Sequence, residues 1–139
     1  MKEFTYGFQA TLLGVSQAEA VRRVTEALAD EGYAVQCTTD VQRSLTAEHG
    51  GDFRSYLILS AFNPAIAREA LALDPHVGLL LLCNVVVQAN DRGDMIISIV
   101  DPKLVLSLID IPAFASLATE AQRALIRVAD RLQQQPNAA

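Results

Sequence analysis

The sequence predicts an α+β domain: a single curved, mainly antiparallel sheet with a β-α-β-β-β-β-α core and short additional helices packed on it. Three observations carry that expectation. Asn90, Asp91, Arg92 and Gly93 are turn residues between two nearly continuous apolar runs, Leu79–Gln88 and Met95–Val100, the pattern of an antiparallel hairpin. One long amphipathic helix falls early and another late, without the regular strand–helix alternation of a doubly wound sheet. Neither GxGxxG nor GxxxxGK[ST] occurs, so the glycines build no phosphate loop.

The elements follow in order. Residues 3–13 alternate, with Phe4, Tyr6, Phe8, Ala10 and Leu12 on one side, as a half-buried strand does. Ser16 and Glu19 form a capping box, since each side chain can satisfy a backbone N–H of the first turn. Val21, Val24, Ala27 and Leu28 keep helical spacing until Gly32 closes the helix. Tyr33–Thr39 alternates again, with Val35 and Cys37 on the side of Tyr33. Asp40 caps a short helix through Leu45, and Gly50–Gly51 stop it. Tyr56–Phe62 is an apolar strand. At Asn63–Pro64 an Asx cap precedes a proline whose missing N–H has no helical partner to lose. Ile66, Ala67, Ala70 and Leu71 then form a buried helical face, closed by Pro75. After the hairpin, Asp101–Pro102 repeats the cap and opens a short helix through Leu108. A last helix from about Pro112 to Gln133 aligns Phe114, Leu117, Ala121, Leu125, Val128 and Leu132 on one stripe.

The 139 residues read as one domain, with 134–139 as a disordered tail. Hydrophobic residues make up 51% and charged residues 19%, which excludes a disordered chain. Eleven Lys and Arg against 16 Asp and Glu give a net charge of −5, so a basic nucleic-acid-binding stripe is excluded and no nucleic acid partner is expected. The longest apolar run, Val77–Val87, is broken by Asn84 and too short to span a bilayer, and no membrane partner is expected. Two cysteines, Cys37 and Cys83, make no disulfide framework and sit in apolar segments, as buried thiols of a cytoplasmic protein do.

The stretch Asp52-Phe53-Arg54, Tyr56, Ile58-Leu59, Ala61, Asn63-Pro64, Ala67 and Ala70-Leu71 resembles the middle of a bacterial and archaeal family, domain of unknown function 302. The resemblance continues through Pro75, Gly78-Leu79-Leu80-Leu81 and Cys83-Asn84-Val85-Val86-Val87 to Asp101-Pro102. It implies a TATA-binding-protein-like fold and a tendency to dimerise, but not DNA binding, because fold does not fix function. Three positions depart from the family pattern. Ser60 stands in place of Gly, Leu82 in place of Pro, and Phe62 where many members carry a second Cys, so a two-Cys site is excluded.

Five residues are candidate ligand contacts: Arg54, Tyr56, Asn63, Cys83 and Asn84. Cys83 matches the family, yet its sequence neighbours supply no cation to lower a thiol pKa, so a buried core thiol accounts for it better. Strand parity sets Cys83 with Leu79, Leu81, Val85 and Val87, and Asn84 on the opposite face with Leu80, Leu82 and Val86. An amide there is either a paired structural group or the polar floor of a ligand cleft. Asn63 is explained as a helix cap. Asp52, Arg54 and Tyr56 read as a solvated ion pair beside a strand-edge phenol, with Arg54 also able to grip an anion. Arg54 and Asn63 lie about one strand length apart. His49 and His76 lack ligand spacing, so no metal is expected; no cofactor and no catalytic residue are assigned either.

The expected protein is therefore a cytosolic homodimer that takes a small anionic or apolar-polar ligand or a protein partner, without its own catalysis. A thiol-dependent enzyme or carrier using Cys83 is the alternative.

Overall fold

Six antiparallel strands form one open sheet in the spatial order β1-β2-β6-β5-β4-β3. The strands are β1 (Lys2–Phe4), β2 (Gly7–Leu12), β3 (Ala34–Asp40), β4 (Tyr56–Phe62), β5 (Cys83–Ala89) and β6 (Met95–Val100). The helices are α1 (Gln17–Asp30), α2 (Val41–His49), α3 (Pro64–Leu73), α4 (Pro102–Leu106) and α5 (Phe114–Gln134), with a 3-10 helix at Pro75–Leu80. The computed structural model describes residues 1–136. Of the expected tail at 134–139, residues 137–139 lie outside these, and Gln134 still belongs to α5.

One face of the sheet carries the core. Phe8, Ala10 and Leu12 pair in register with Ile99, Ile97 and Met95, and Val85 and Val87 continue the rows across β5. These residues are buried against Val24 and Leu28 of α1 and Leu125, Val128 and Leu132 of α5. Burying each such side chain contributes roughly 1.5–3 kcal/mol, which is why helices whose own propensity is marginal persist here. A second cluster, Val77, Leu106, Phe114, Leu117 and Ala118 with Ala70, seats α3, α4 and the 3-10 helix against the start of α5.

The opposite face is uncovered and uncharged. Tyr56, Ile58, Ser60, Val86, Gln88, Ile96, Ser98 and Val100 all remain partly exposed there, and none of the outward positions of β2, β4, β5 or β6 is Asp, Glu, Lys or Arg.

Local chemistry explains the helix ends. Ser16 accepts the Glu19 N–H at 3.1 Å, as expected of an N-cap. The return half of the capping box is not made, because the Glu19 carboxylate turns to Arg22 and Arg23 at 2.6–2.9 Å. That pairing pulls the Glu19 carboxyl down to about 2. At the far end Gly32 takes φ 84°, and its N–H and that of Tyr33 bond Ala29 O and Leu28 O in a Schellman arrangement.

Four expectations are corrected. The single strand at 3–13 is two strands: Thr5 and Tyr6 are a hairpin turn, Phe4 faces Gly7, and Tyr6 is 64% exposed. A Cβ on Gly7 would lie 2.5 Å from the Ile99 carbonyl and 2.6 Å from the Phe4 ring, so the turn closes onto β6 only with glycine. In β3 a bulge between Val35 and Cys37 shifts the register, pairing Val35 with Ala61 and Cys37 with Ser60. The two therefore face opposite ways, and Cys37 is exposed instead of buried. Helix α2 runs on to His49 instead of Leu45, because Gly50 at φ 66° is the first residue to leave it. Finally, β5 starts at Cys83, not Leu79, so Leu79 and Leu81 share no strand face with Cys83 and Leu80 and Leu82 none with Asn84.

Candidate functional site

The late start of β5 has a cause in its neighbours. β4 ends at Asn63–Pro64 and β6 ends at Asp101–Pro102, both at the end of the sheet where β5 begins. Each Asx side chain accepts backbone N–H groups of the next helix: Asn63 from Ala65 and Ile66 at 3.1 and 3.2 Å, Asp101 from Lys103 at 2.9 Å. The prolines have no N–H for a ladder. Residues before Cys83 thus have no strand on either side, and Asp74–Pro75 turns them into a 3-10 helix, with Asp74 accepting the His76 N–H at 2.9 Å.

Between the three caps lies a cleft of about 210 Å³. Tyr33, Asn63, Ile66, residues 79–84, Val100, Pro102, Val105, Leu106 and Ala121 line it, and none of these is charged. Leu79 and Leu82 stand at its rim, 89% and 51% exposed.

The polar groups of the lining differ in what they have left to offer. The Asn63 carbonyl is used by its cap, and its amide donates to Glu31 O at 3.4 Å. Asn84 accepts from the Ser60 hydroxyl at 3.1 Å and leaves its NH₂ free among the described residues. Cys83 is 6% exposed, and burial pushes its thiol up to about 12, so it is protonated at neutral pH. Tyr33 is 5% exposed, and its hydroxyl makes no hydrogen bond with any described residue. Burial, with the neighbouring Cys83, raises the phenol above its ordinary value, keeping it a neutral donor.

The structure separates the five candidate residues. Asn63, Cys83 and Asn84 meet in the cleft; Cys83 and Asn84 both reach it because β5 begins there, whatever their strand parity. Arg54 and Tyr56 lie at the other end of β4. Arg54 forms no ion pair with Asp52; it donates to Gln88 Oε1 at 2.8 Å and stacks on the rings of Phe53 and Tyr56, 5.0 and 5.8 Å from their centroids. That cluster satisfies the guanidinium on aromatic faces and an amide. Among the described residues no three His, Cys, Asp or Glu side chains group as metal ligands, and no helix is long and apolar enough to cross a membrane. Tyr33 was not among the residues singled out from the sequence. The signal that points to it is the helix stop at Gly32: the residue after such a stop packs its body inward, and a phenol so placed keeps its polar tip toward an opening.

The sequence profile of the family described as Domain of unknown function DUF302 matches residues 9–132. The chain is similar in structure to an uncharacterized conserved DUF302 protein from Bacillus stearothermophilus, with a TM-score of 0.83 and 23% identity, over 93% of this chain and 99% of that one. That likeness shows a shared fold. No curated protein matches the sequence.

Proposed function

The chain belongs to the DUF302 family, and from that premise we propose that it is a homodimeric small-ligand-binding module without catalysis of its own, its site the cleft at the end of the sheet. One observation carries the reading. The hydroxyl of Tyr33, a 5% exposed residue bordering a cleft lined mostly by apolar side chains, has no hydrogen-bond partner among the described residues and opens onto the cleft. A donor that opens onto a largely apolar cleft is the kind of polar group that orients a bound molecule there. The thiol-dependent alternative draws no such support: the Cys83 thiol is raised by burial, and no cation lines the cleft to lower it.

The dimer reading rests on the uncovered sheet face. Two copies each carrying −5 repel unless they meet over surface without charge, and the outer rows of β2, β4, β5 and β6 are such a surface, with Ile58, Val86 and Ile96 at its middle. A reducing cytoplasm is supported by two free cysteines, and the same net charge argues against a nucleic acid partner.

Native mass spectrometry of freshly purified, reduced protein tests both parts. A species near twice 15.0 kDa with a retained small mass is the expected result. A bare monomer that also shows no thermal shift with small organic probes refutes the proposal.

A further inference from the structure

Granting that the cleft is the binding site, its chemistry names the class of ligand. We infer that it selects an uncharged, largely apolar small molecule bearing a carbonyl-type acceptor, which takes the hydrogen bond of the Tyr33 hydroxyl. Three features lead there. The lining contains no Arg, Lys, His, Asp or Glu, so an ionised ligand would lose its hydration with nothing to replace it. The unused polar side-chain groups, namely the Tyr33 hydroxyl, the Asn84 NH₂ and the Cys83 thiol, can all donate, whereas the one carboxamide acceptor of Asn63 is occupied by its cap. The volume of about 210 Å³ lies below that of sites for drug-sized ligands, which suits a molecule of one ring or a short chain. The two helix N-termini at the rim add no anion site: their leading N–H groups are already taken by Asn63 and Asp101.

Three probes of nearly one shape separate the terms: acetophenone, its hydrocarbon isostere α-methylstyrene, and benzoate. Each is titrated into the full chain, followed by amide shifts in protein NMR. Acetophenone is expected to move the amides of Tyr33, Cys83 and Val105 and to bind about tenfold tighter than α-methylstyrene. Benzoate is expected not to bind. Tyr33→Phe is expected to bring acetophenone down to the hydrocarbon's affinity while leaving the hydrocarbon unchanged; because the hydroxyl has no partner, this variant folds. Benzoate binding as well as acetophenone, or a ketone preference that survives Tyr33→Phe, overturns the ligand class while the cleft remains a binding site. No shift at cleft residues with any of the three overturns the cleft itself.

Discussion

Removing the Tyr33 hydroxyl is expected to stabilise the empty protein, and the size of the effect follows from its surroundings. The ring sits beside Cys83, with only 5% of the residue exposed. A buried polar group without a partner costs about 1–3 kcal/mol. The cleft admits some solvent to this one, so the lower end applies and Tyr33→Phe is expected to gain about 1 kcal/mol. With an unfolding entropy of about 2.1 cal/mol/K per residue, a chain of this length shifts its Tm by roughly 3 °C per kcal/mol. Ligand-free thermal unfolding by circular dichroism, wild type against Tyr33→Phe, reads that rise directly. Tyr33→Ala supplies the contrast: it removes the packed ring and is expected to cost about 3–5 kcal/mol, as loss of a buried aromatic does. If Tyr33→Phe instead lowers the Tm by several degrees, the hydroxyl is held by a bond in the folded protein, and the argument that it waits for a ligand fails.

Exposed Cys37 is expected to react with a thiol reagent at once, and Cys83 only on unfolding, so that native protein titrates one thiol and denatured protein two; prompt modification of both refutes the buried-thiol reading. Because the Cys83 pKa is raised from 9.0 to about 12 by folding, its contribution to stability is full below pH 9. Above that pH the unfolded chain gives up a proton that the folded one keeps, and the unfolding free energy from urea titrations is expected to fall by about 1.4 kcal/mol per pH unit from this group. Cys83→Ser, checked by the same urea titrations, is expected to remove the fall between about pH 9 and 10, below the range in which the raised Tyr33 phenol adds its own; an unchanged slope there assigns it elsewhere. Gly7→Ala is expected to cost about 1–3 kcal/mol, since the new methyl meets a backbone carbonyl that cannot move aside; a neutral result in chemical denaturation contradicts the tight closure of β2 onto β6. Ser98→Arg places a charge at the middle of the uncovered sheet face without touching the core, and is expected to turn the dimer into a monomer in sedimentation at unchanged Tm; a dimer that persists puts the interface elsewhere.

What was legible in the sequence was whatever a short stretch decides by itself. β4 and β6 have the bounds that their apolar runs predict, and Ser16, Asp40, Asn63 and Asp101 all cap the helices expected of them. The errors fall where the deciding contact is distant. The two-residue turn at Thr5–Tyr6 reverses the parity, so that Phe4 shares the face of Gly7 and not that of Phe8, yet the alternation of 3–13 runs through it in the sequence without a mark. The bulge that exposes Cys37 adds one residue opposite β4, and no composition signal marks it. Leu79–Leu82 has strand composition throughout; it is excluded from the sheet only because two other strands end beside it.

The same reasoning accounts for the site. The sequence shows three Asx–Pro pairs, at 63–64, 74–75 and 101–102, the first and third explained locally as helix starts and the second as a helix stop. Antiparallel pairing places the first and third at one end of the sheet, around the first residue of β5, because Ala61 faces Cys83 and Val85 faces Ile99. The first and third caps each stop a strand, and where β4 and β6 stop together the central strand loses its neighbours and the backbone opens a gap that side chains must line. Tyr33 reaches that gap from the end of α1, at the start of β3, so its placement depends on strand order and on the Schellman stop together. A cleft of this origin is set by backbone termini, so substituting a rim leucine changes what it admits but not where it lies. Leu79→Ser and Leu82→Ser are accordingly expected to leave the fold and its Tm within about 0.5 kcal/mol, as exposed positions do. Collapse of the fold on either change would show that the rim holds the cleft open and that the three caps do not suffice.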